Sequence, residues 1–158
     1  MKTLNDVFEH TLHDIYFAEH ALTKALPKVI EAASNAELKK GITEHLAETK
    51  GQIKTLDAVF KAIGKKPMAE KCDAIEGLIK ETEGAIKEAK TDLARDIAII
   101  ACCQAVEHYE VARYGTLKEW AKVLDQPEAH DLLSQILDQE KAANNKLTNL
   151  AVAHMNKK

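Results

Sequence analysis

The feature of this sequence that most constrains the fold is an apolar repeat in alternating steps of four and three residues, with a glutamate at its centre. The first repeat consists of Phe8, Leu12, Ile15, Glu19, Leu22, Leu26, Val29 and Ala33. Side chains with this spacing share one side of an α-helix and form the seam of a helix packed at a shallow angle in a bundle. A carboxylate buried in such a seam needs a cation or hydrogen bonds.

Three further segments repeat this pattern and also become polar near the middle. The second has inward positions at Leu38, Ile42, His45, Glu48, Thr49, Gln52, Leu56, Val59 and Ile63. The third has them at Leu93, Ile97, Ile100, Gln104, Glu107, Val111 and Tyr114. The fourth has them at Leu133, Ile136, Glu140, Ala143, Leu147 and Leu150. The sequence therefore predicts four long amphipathic helices.

Turn and cap residues set the expected bounds of these helices. Asn35 is a good N-cap, Gly64 suits the position after a helix, and Pro127 suits the first turn of a helix. We predict long helices at about residues 3–33, 36–63, 91–124 and 127–156, with a shorter helix within residues 65–91. The shorter helix would cross from one helical hairpin to the other, so the prediction is a single all-α domain over residues 1–158, a four-helix bundle with an additional crossover helix.

Composition supports a helical protein and excludes several partners. Of the 158 residues, 46% are hydrophobic and 30% charged, with only six glycines, three prolines and 4% aromatics. The net charge of −3 is evenly spread, so neither nucleic acid nor an anionic membrane is expected to bind. No run approaches the roughly 18 apolar residues that span a bilayer, and we predict a cytoplasmic protein. The three cysteines have neither disulfide nor zinc spacing, and we interpret Cys102 and Cys103 as small core residues.

The central polar residues are expected to meet at one level of the bundle. Glu19 and Glu48 lie at similar distances from the first turn, and Glu110 and Glu140 lie at similar distances from the last one. With a rise of about 1.5 Å per residue, each pair is level within about one helical turn, and Glu107 is one turn from Glu110. No Arg or Lys shares this layer, so several carboxylates must be protonated or a multiply charged ion must bind. Two iron or manganese ions suit this donor set better than copper or structural zinc.

Other polar side chains near this layer have two possible roles each. Tyr16 and Tyr114 could hydrogen-bond a metal ligand or supply an electron, or they could simply pack in the core. His108 points away from the seam, which favours a surface or partner-helix role over metal ligation.

Several segments resemble the YciF-type (YciE/YciF) branch of the ferritin-like superfamily. They are Tyr16 to Glu19, His45 to Gln52, Lys71 to Leu78, Gln104 to Thr116 and the residues from Glu140. The run EHYEVARYGTL is the most specific of them. The resemblance covers nearly the whole chain. It implies a ferritin-like four-helix bundle with a crossover helix, a two-metal carboxylate site, a homodimer and a stress-associated role.

The chain departs from the usual ligand pattern of that superfamily. The usual Glu-x-x-His is reversed in His45-x-x-Glu48, and amides at Gln52 and Asn144 stand where an imidazole is expected. The candidate metal residues are Glu19, Glu48, Glu107, Glu110, Glu140, His45 and Gln52.

Three functions are compatible with the sequence. The leading hypothesis is a di-metal iron or manganese protein that reacts with peroxide or dioxygen, as a peroxidase-, catalase- or ferroxidase-like oxidoreductase. The alternative, favoured by the amides at Gln52 and Asn144, is a metal-poor helical bundle that acts as a dimeric stress-response interaction module. Iron storage is disfavoured because no separate short C-terminal helix follows the fourth long helix to build a shell.

Overall fold

The structure is a computed structural model that describes the backbone of residues 1–155 and the side chains of residues 1–153. Within that range it is all-α and contains no strand. Five helices occur, α1 (Leu4–Ala32), α2 (Ala36–Ala62), α3 (Asp73–Glu88), α4 (Asp92–Val123) and α5 (Pro127–Leu150). The regular part of α5 is followed by a π-helical turn at Ala151–Met155. The predicted end of this helix, Asn156, lies outside the described residues.

Local sequence explains where the long helices begin and end. Thr3 and Asp6 form a reciprocal capping box at the start of α1, and the side chain of Asn35 accepts two backbone N–H groups at the start of α2. Thr91 accepts a backbone N–H at the start of α4. Gly64 follows α2 with a φ of +70°, a left-handed conformation that glycine adopts without a side-chain penalty.

The four long helices form a closed ring in the order α1, α2, α5, α4. The shorter helix α3 lies outside this ring and packs on α4 and α1. Before α3 the chain runs along the first half of α1, since the Glu70 N–H donates to the carbonyl of His13 at 3.2 Å. After α3, the Asp96 carboxylate accepts the N–H groups of Ser34 and Asn35 at 2.7 and 2.8 Å, so α4 starts beside the α1–α2 turn. The predicted bundle with a crossover helix is confirmed.

The seam of α1 is buried at all of its predicted positions, including Glu19. The predicted seam of α4 is partly wrong. Leu93 is 47% exposed, whereas Asp96, which the repeat leaves out, is buried. Because α4 is covered by α3 as well as by α1 and α5, its buried surface is broader than one stripe. Cys102 and Cys103 are half-buried, and Cys103 packs against the hydrophobic core, so the predicted core position is confirmed in part for Cys103.

No helix in the described part of the chain combines the length and the apolar character needed to cross a membrane.

Candidate metal centre

Four glutamates from three helices lie buried at the waist of the bundle. They are Glu19 on α1, Glu107 and Glu110 on α4, and Glu140 on α5. Each is exposed by 1% or less. The convergence predicted for these four residues is therefore present in the structure.

The carboxylates form two overlapping groups of potential ligands. In one group, atoms of His45, Glu107 and Glu110 lie within 4.8 Å of one another, and in the other group the same holds for Glu19, Glu110 and Glu140. Glu110 belongs to both groups. A carboxylate shared by two ligand groups is the arrangement that bridges two closely spaced metal ions.

The oxygen atoms of this cluster lack the partners that buried polar atoms normally have. Among the described residues, five carboxylate oxygens are buried without a hydrogen-bond partner. They are Glu19 Oε2, Glu107 Oε2, Glu110 Oε1 and Oε2, and Glu140 Oε2. No lysine or arginine is among the buried polar residues of the described chain. Since unpaired buried carboxylates are costly, this donor set fits divalent cations that prefer oxygen and imidazole ligands.

Burial and mutual repulsion favour the protonated form of these carboxyl groups when no cation is bound. Burial, with the nearby charge of Glu140, raises the pKa of Glu19 to about 8. Burial is also the main cause that raises the pKa of Glu107 to about 10 and that of Glu140 to about 7. Burial and the charges of Glu140 and Glu19 raise the pKa of Glu110 well above its ordinary value. Each ion that binds must therefore displace protons.

His45 supplies the imidazole of the cluster. It is 8% exposed, its Nε2 atom lies 3.4 Å from Glu107 Oε1, and its Nδ1 atom has no partner. Burial, aided by the charge of Lys146, lowers its pKa to about 4. The ring is thus neutral at physiological pH, the state in which imidazole binds metals.

Gln52 holds Glu140 in position as a hydrogen-bond donor. Its Nε2 atom donates to Glu140 Oε1 and, at 3.2 Å, to Gln139 Oε1. Its own Oε1 atom is buried without a partner. Because the amide nitrogen donates these hydrogen bonds, Gln52 could act as the predicted metal ligand only through Oε1.

Glu48 lies at the rim of the cluster, outside both ligand groups. Its side chain is 34% exposed and pairs with Lys146 at 3.6 Å. Periodicity places Glu48 on the inward side but cannot show that a lysine from α5 competes for it. Its role as a ligand remains a prediction.

Two tyrosines near the predicted layer have different partners. The Tyr114 hydroxyl donates to Glu19 Oε1 and is fully buried, so it belongs to the cluster. The Tyr16 hydroxyl donates to Asp57 Oδ1 at 2.8 Å instead. Tyr114 lies four residues after Glu110, one helical turn, and that spacing is the signal by which sequence points to it.

Two other polar residues lie away from the cluster. Asn144, predicted beside Glu140, instead accepts a hydrogen bond from Gln104 at 3.4 Å. His108 is exposed, as predicted, with its Nδ1 atom 2.8 Å from the carbonyl oxygen of Gln104.

Comparison with known sequences shows a match along nearly the whole chain. The family model DUF892, a domain of unknown function, matches residues 3–158. The protein YciF of Escherichia coli K12 is 46% identical over 159 residues, which cover 100% of this chain and 96% of that protein.

Solved structures give the same fold. The E. coli stress protein YciF superposes with a TM-score of 0.95 at 46% identity, with both chains fully covered. YcfI of Rhodopseudomonas palustris, provisionally described as a structural protein, superposes with a TM-score of 0.92 at 50% identity over 93% of this chain and 94% of that one. A protein of Xanthomonas campestris pv. campestris shares the fold alone, with a TM-score of 0.77 at 20% identity over 96% of this chain and 93% of the other.

Proposed function

The chain belongs to the DUF892 family, and we propose that its buried carboxylate cluster binds two iron or manganese ions that react with peroxide or dioxygen. One observation carries this proposal. Glu110 belongs to both ligand groups, and neither of its oxygen atoms has a partner. Two cations held by these groups would provide partners for the oxygens of Glu110 and for those on Glu19, Glu107 and Glu140, and so would remove the cost of burying them unpaired.

The residues of the chain have distinct tasks in this proposal. Glu107 and His45 would hold one ion and Glu19 and Glu140 the other, while Gln52 and Tyr114 orient Glu140 and Glu19 through hydrogen bonds. The hydrophobic core around the cluster would limit its contact with bulk water to the side where a pocket reaches His45 and Glu107. Two bound Fe²⁺ ions would supply two electrons to a peroxide, so that H2O2 and two protons yield two waters and two Fe³⁺.

The similarity to YciF suggests when this chemistry is needed. E. coli YciF is described as a stress protein. We therefore propose a stress-associated role for this protein, in which it removes peroxide or oxidises ferrous iron.

Stopped-flow oxidation of bound Fe²⁺ tests this function. Protein loaded anaerobically with about two Fe²⁺ per chain is mixed with H2O2 or with air-saturated buffer, and Fe³⁺ absorbance is followed. We expect Fe²⁺ bound to the wild type to be oxidised much faster than the same amount of Fe²⁺ mixed with the Glu110→Gln variant. Equal rates for the two proteins would contradict the proposal.

A metal-poor dimeric interaction module is the second candidate. Two observations favour it. The amide nitrogen of Gln52 donates to Glu140, which leaves only the oxygen of Gln52 for a metal, and Lys146 pairs with Glu48 and competes with a metal for it. The description of YcfI as a structural protein points the same way. In this case the protein would be a homodimer, and a chelator would change neither its stability nor its mass. Added Fe²⁺ or Mn²⁺ would not bind.

A further inference from the structure

A pocket between α2 and α5 leads from the surface to the imidazole side of the cluster. Its volume is about 510 Å³, within the roughly 300–1,000 Å³ typical of small-molecule sites. Hydrogen peroxide and dioxygen are far smaller than this volume. Most of its surface is apolar, and Ile42, Ala143, Leu147 and Leu150 form an aliphatic part of the wall.

The inner end of the pocket is polar and has unused hydrogen-bonding atoms. His45 and Glu107 both line it. The Nδ1 atom of His45 and the Oε2 atom of Glu107 are buried without a partner, and both residues are more than nine-tenths buried. A neutral hydroxyl or hydroperoxyl group could donate a hydrogen bond to either of these atoms, whereas an anionic head group has no proton to donate.

The mouth of the pocket also disfavours an anion. Lys146 lies 3.8 Å from Glu44 and 3.6 Å from Glu48, and Lys40 lies 4.0 Å from Glu44. With Glu37, which also lines the pocket, three acidic residues face two basic ones, so the lysines offer no surplus positive charge.

We propose that this pocket binds organic hydroperoxides, with the hydrocarbon part against the aliphatic wall and the –OOH group toward His45 and Glu107. The inference rests on the proposed peroxide chemistry of the cluster and names its substrate class. The O–O bond of ROOH would break and yield ROH and water, with two protons taken up and two electrons supplied by two ferrous ions, each oxidised to Fe³⁺.

Two glycines of α2 provide a matched pair of variants. A Cβ atom added at Gly41, which lines the pocket, meets no atom within 4 Å, and the same holds at Gly51, which is exposed and outside the pocket. Because the Cβ atom has room, Gly41→Phe should place a phenyl ring at the pocket and obstruct it, and Gly51→Phe is its control. Both replace glycine in a helix by a residue of better helix propensity.

The first test is binding to metal-free protein. The probe is 2-phenyl-2-propanol, the alcohol formed from cumene hydroperoxide, followed by two-dimensional amide NMR. We expect shifts for the amides of residues 41–45 and 146–150 in the wild type and in Gly51→Phe, and none of these shifts in Gly41→Phe. Absence of probe binding in the wild type would overturn the inference.

The second test compares two oxidants on Fe²⁺-loaded protein. Gly41→Phe should lower kcat/KM for cumene hydroperoxide by about tenfold or more while changing that for H2O2 by less than about twofold. Equal losses for both oxidants would also overturn the inference. If the wild type reacts with neither oxidant, both the proposed function and this inference are contradicted. If the wild type reacts normally with H2O2 but does not bind the probe, only this inference is contradicted.

Discussion

Glu110 is the residue on which both ligand groups depend. Its two carboxylate oxygens are buried, unpartnered and flanked by Glu19, Glu107 and Glu140. In metal-free protein such a group opposes folding because its charged form is disfavoured by burial and by like charge. In metal-loaded protein the same atoms would become ligands.

Glu110→Gln should therefore separate metal binding from stability. We expect the variant to lose metal binding at both positions. Its metal-free form at pH 8 should have a higher free energy of unfolding than the wild type, because glutamine has no charged form for burial and neighbouring carboxylates to disfavour. Glu119→Gln, at an exposed position of the same helix, should change neither property. Urea unfolding and Co²⁺ titration provide the measurements. A destabilised metal-free variant would mean that Glu110 has a structural hydrogen-bonding role instead.

Tyr114 and Tyr16 allow a comparison of two phenols that each donate to a carboxylate. Tyr114→Phe leaves Glu19 Oε1 without its donor, so we expect weaker metal binding, because Glu19 loses its orientation, and a loss of about 1–3 kcal/mol in unfolding free energy. Tyr16→Phe should cost about 1 kcal/mol and leave metal affinity unchanged. Isothermal titration with Mn²⁺ and urea unfolding of both variants test this. Equal effects on affinity would remove Tyr114 from the metal centre.

At the scale of helices, periodicity predicts α1 well and α4 only in part. Helix α1 has one wide buried stripe, and its four-three repeat identifies seven of the nine buried residues, missing only Thr11 and Ala18. Helix α4 packs on α3 in addition to α1 and α5, so residues on more than one stripe are buried, including Asp96. A charged residue such as Asp96 is excluded by a rule that looks for apolar side chains. Its burial becomes understandable only from the two turn N–H groups that it accepts.

Asp96 joins the second hairpin to the first. Asp96→Ala removes the acceptor of the Ser34 and Asn35 N–H groups, and we expect a loss of about 2–4 kcal/mol in unfolding free energy, because two backbone donors lose a charged partner. Asp92→Ala, on the same helix with an exposed side chain, should cost less than about 1 kcal/mol. Chemical denaturation of both variants decides the point. Equal stabilities would show that the turn is held by other contacts.

At the scale of the whole molecule, the convergence of the site could be predicted, but its hydrogen bonds could not. Equal distances from the last turn place Glu110 level with Glu140, and Glu107 lies one helical turn from Glu110. Packing of the two hairpins then brings Glu19 to the same level. Whether Gln52 presents its oxygen or its nitrogen depends on Glu140 and Gln139, which lie on another helix. The pairing of Glu48 with Lys146 likewise depends on side chains far apart in sequence.

The buried carboxyl groups also make the stability of the metal-free molecule depend on pH. The pKa of Glu19 is raised to about 8 and that of Glu140 to about 7 in the folded protein. The protonated groups therefore contribute their full stability below the ordinary pKa of glutamate, and this stability is lost as pH rises through the raised pKa values. His45, with its pKa lowered to about 4, acts oppositely, but only below its ordinary pKa of 6.5.

We therefore expect the unfolding free energy of metal-free protein to fall between about pH 6.5 and pH 8, by roughly 1 kcal/mol or more. Metal-loaded protein should instead gain stability over this range, because deprotonated carboxylates bind the ions more tightly. Urea unfolding at several pH values, with chelator or with Mn²⁺, checks both trends. A metal-free protein whose stability rises with pH over this interval would contradict the proposed cost of the empty cluster.

The number of metal ions bound per chain tests the central claim most directly. Chelator-treated protein is titrated anaerobically with Fe²⁺ and, separately, with Mn²⁺, and bound metal is determined by elemental analysis after removal of free ions. The carboxylate cluster is expected to take up about two ions per chain in the wild type and none in Glu110→Gln. Less than about 0.2 ion per chain in the wild type would contradict a metal centre.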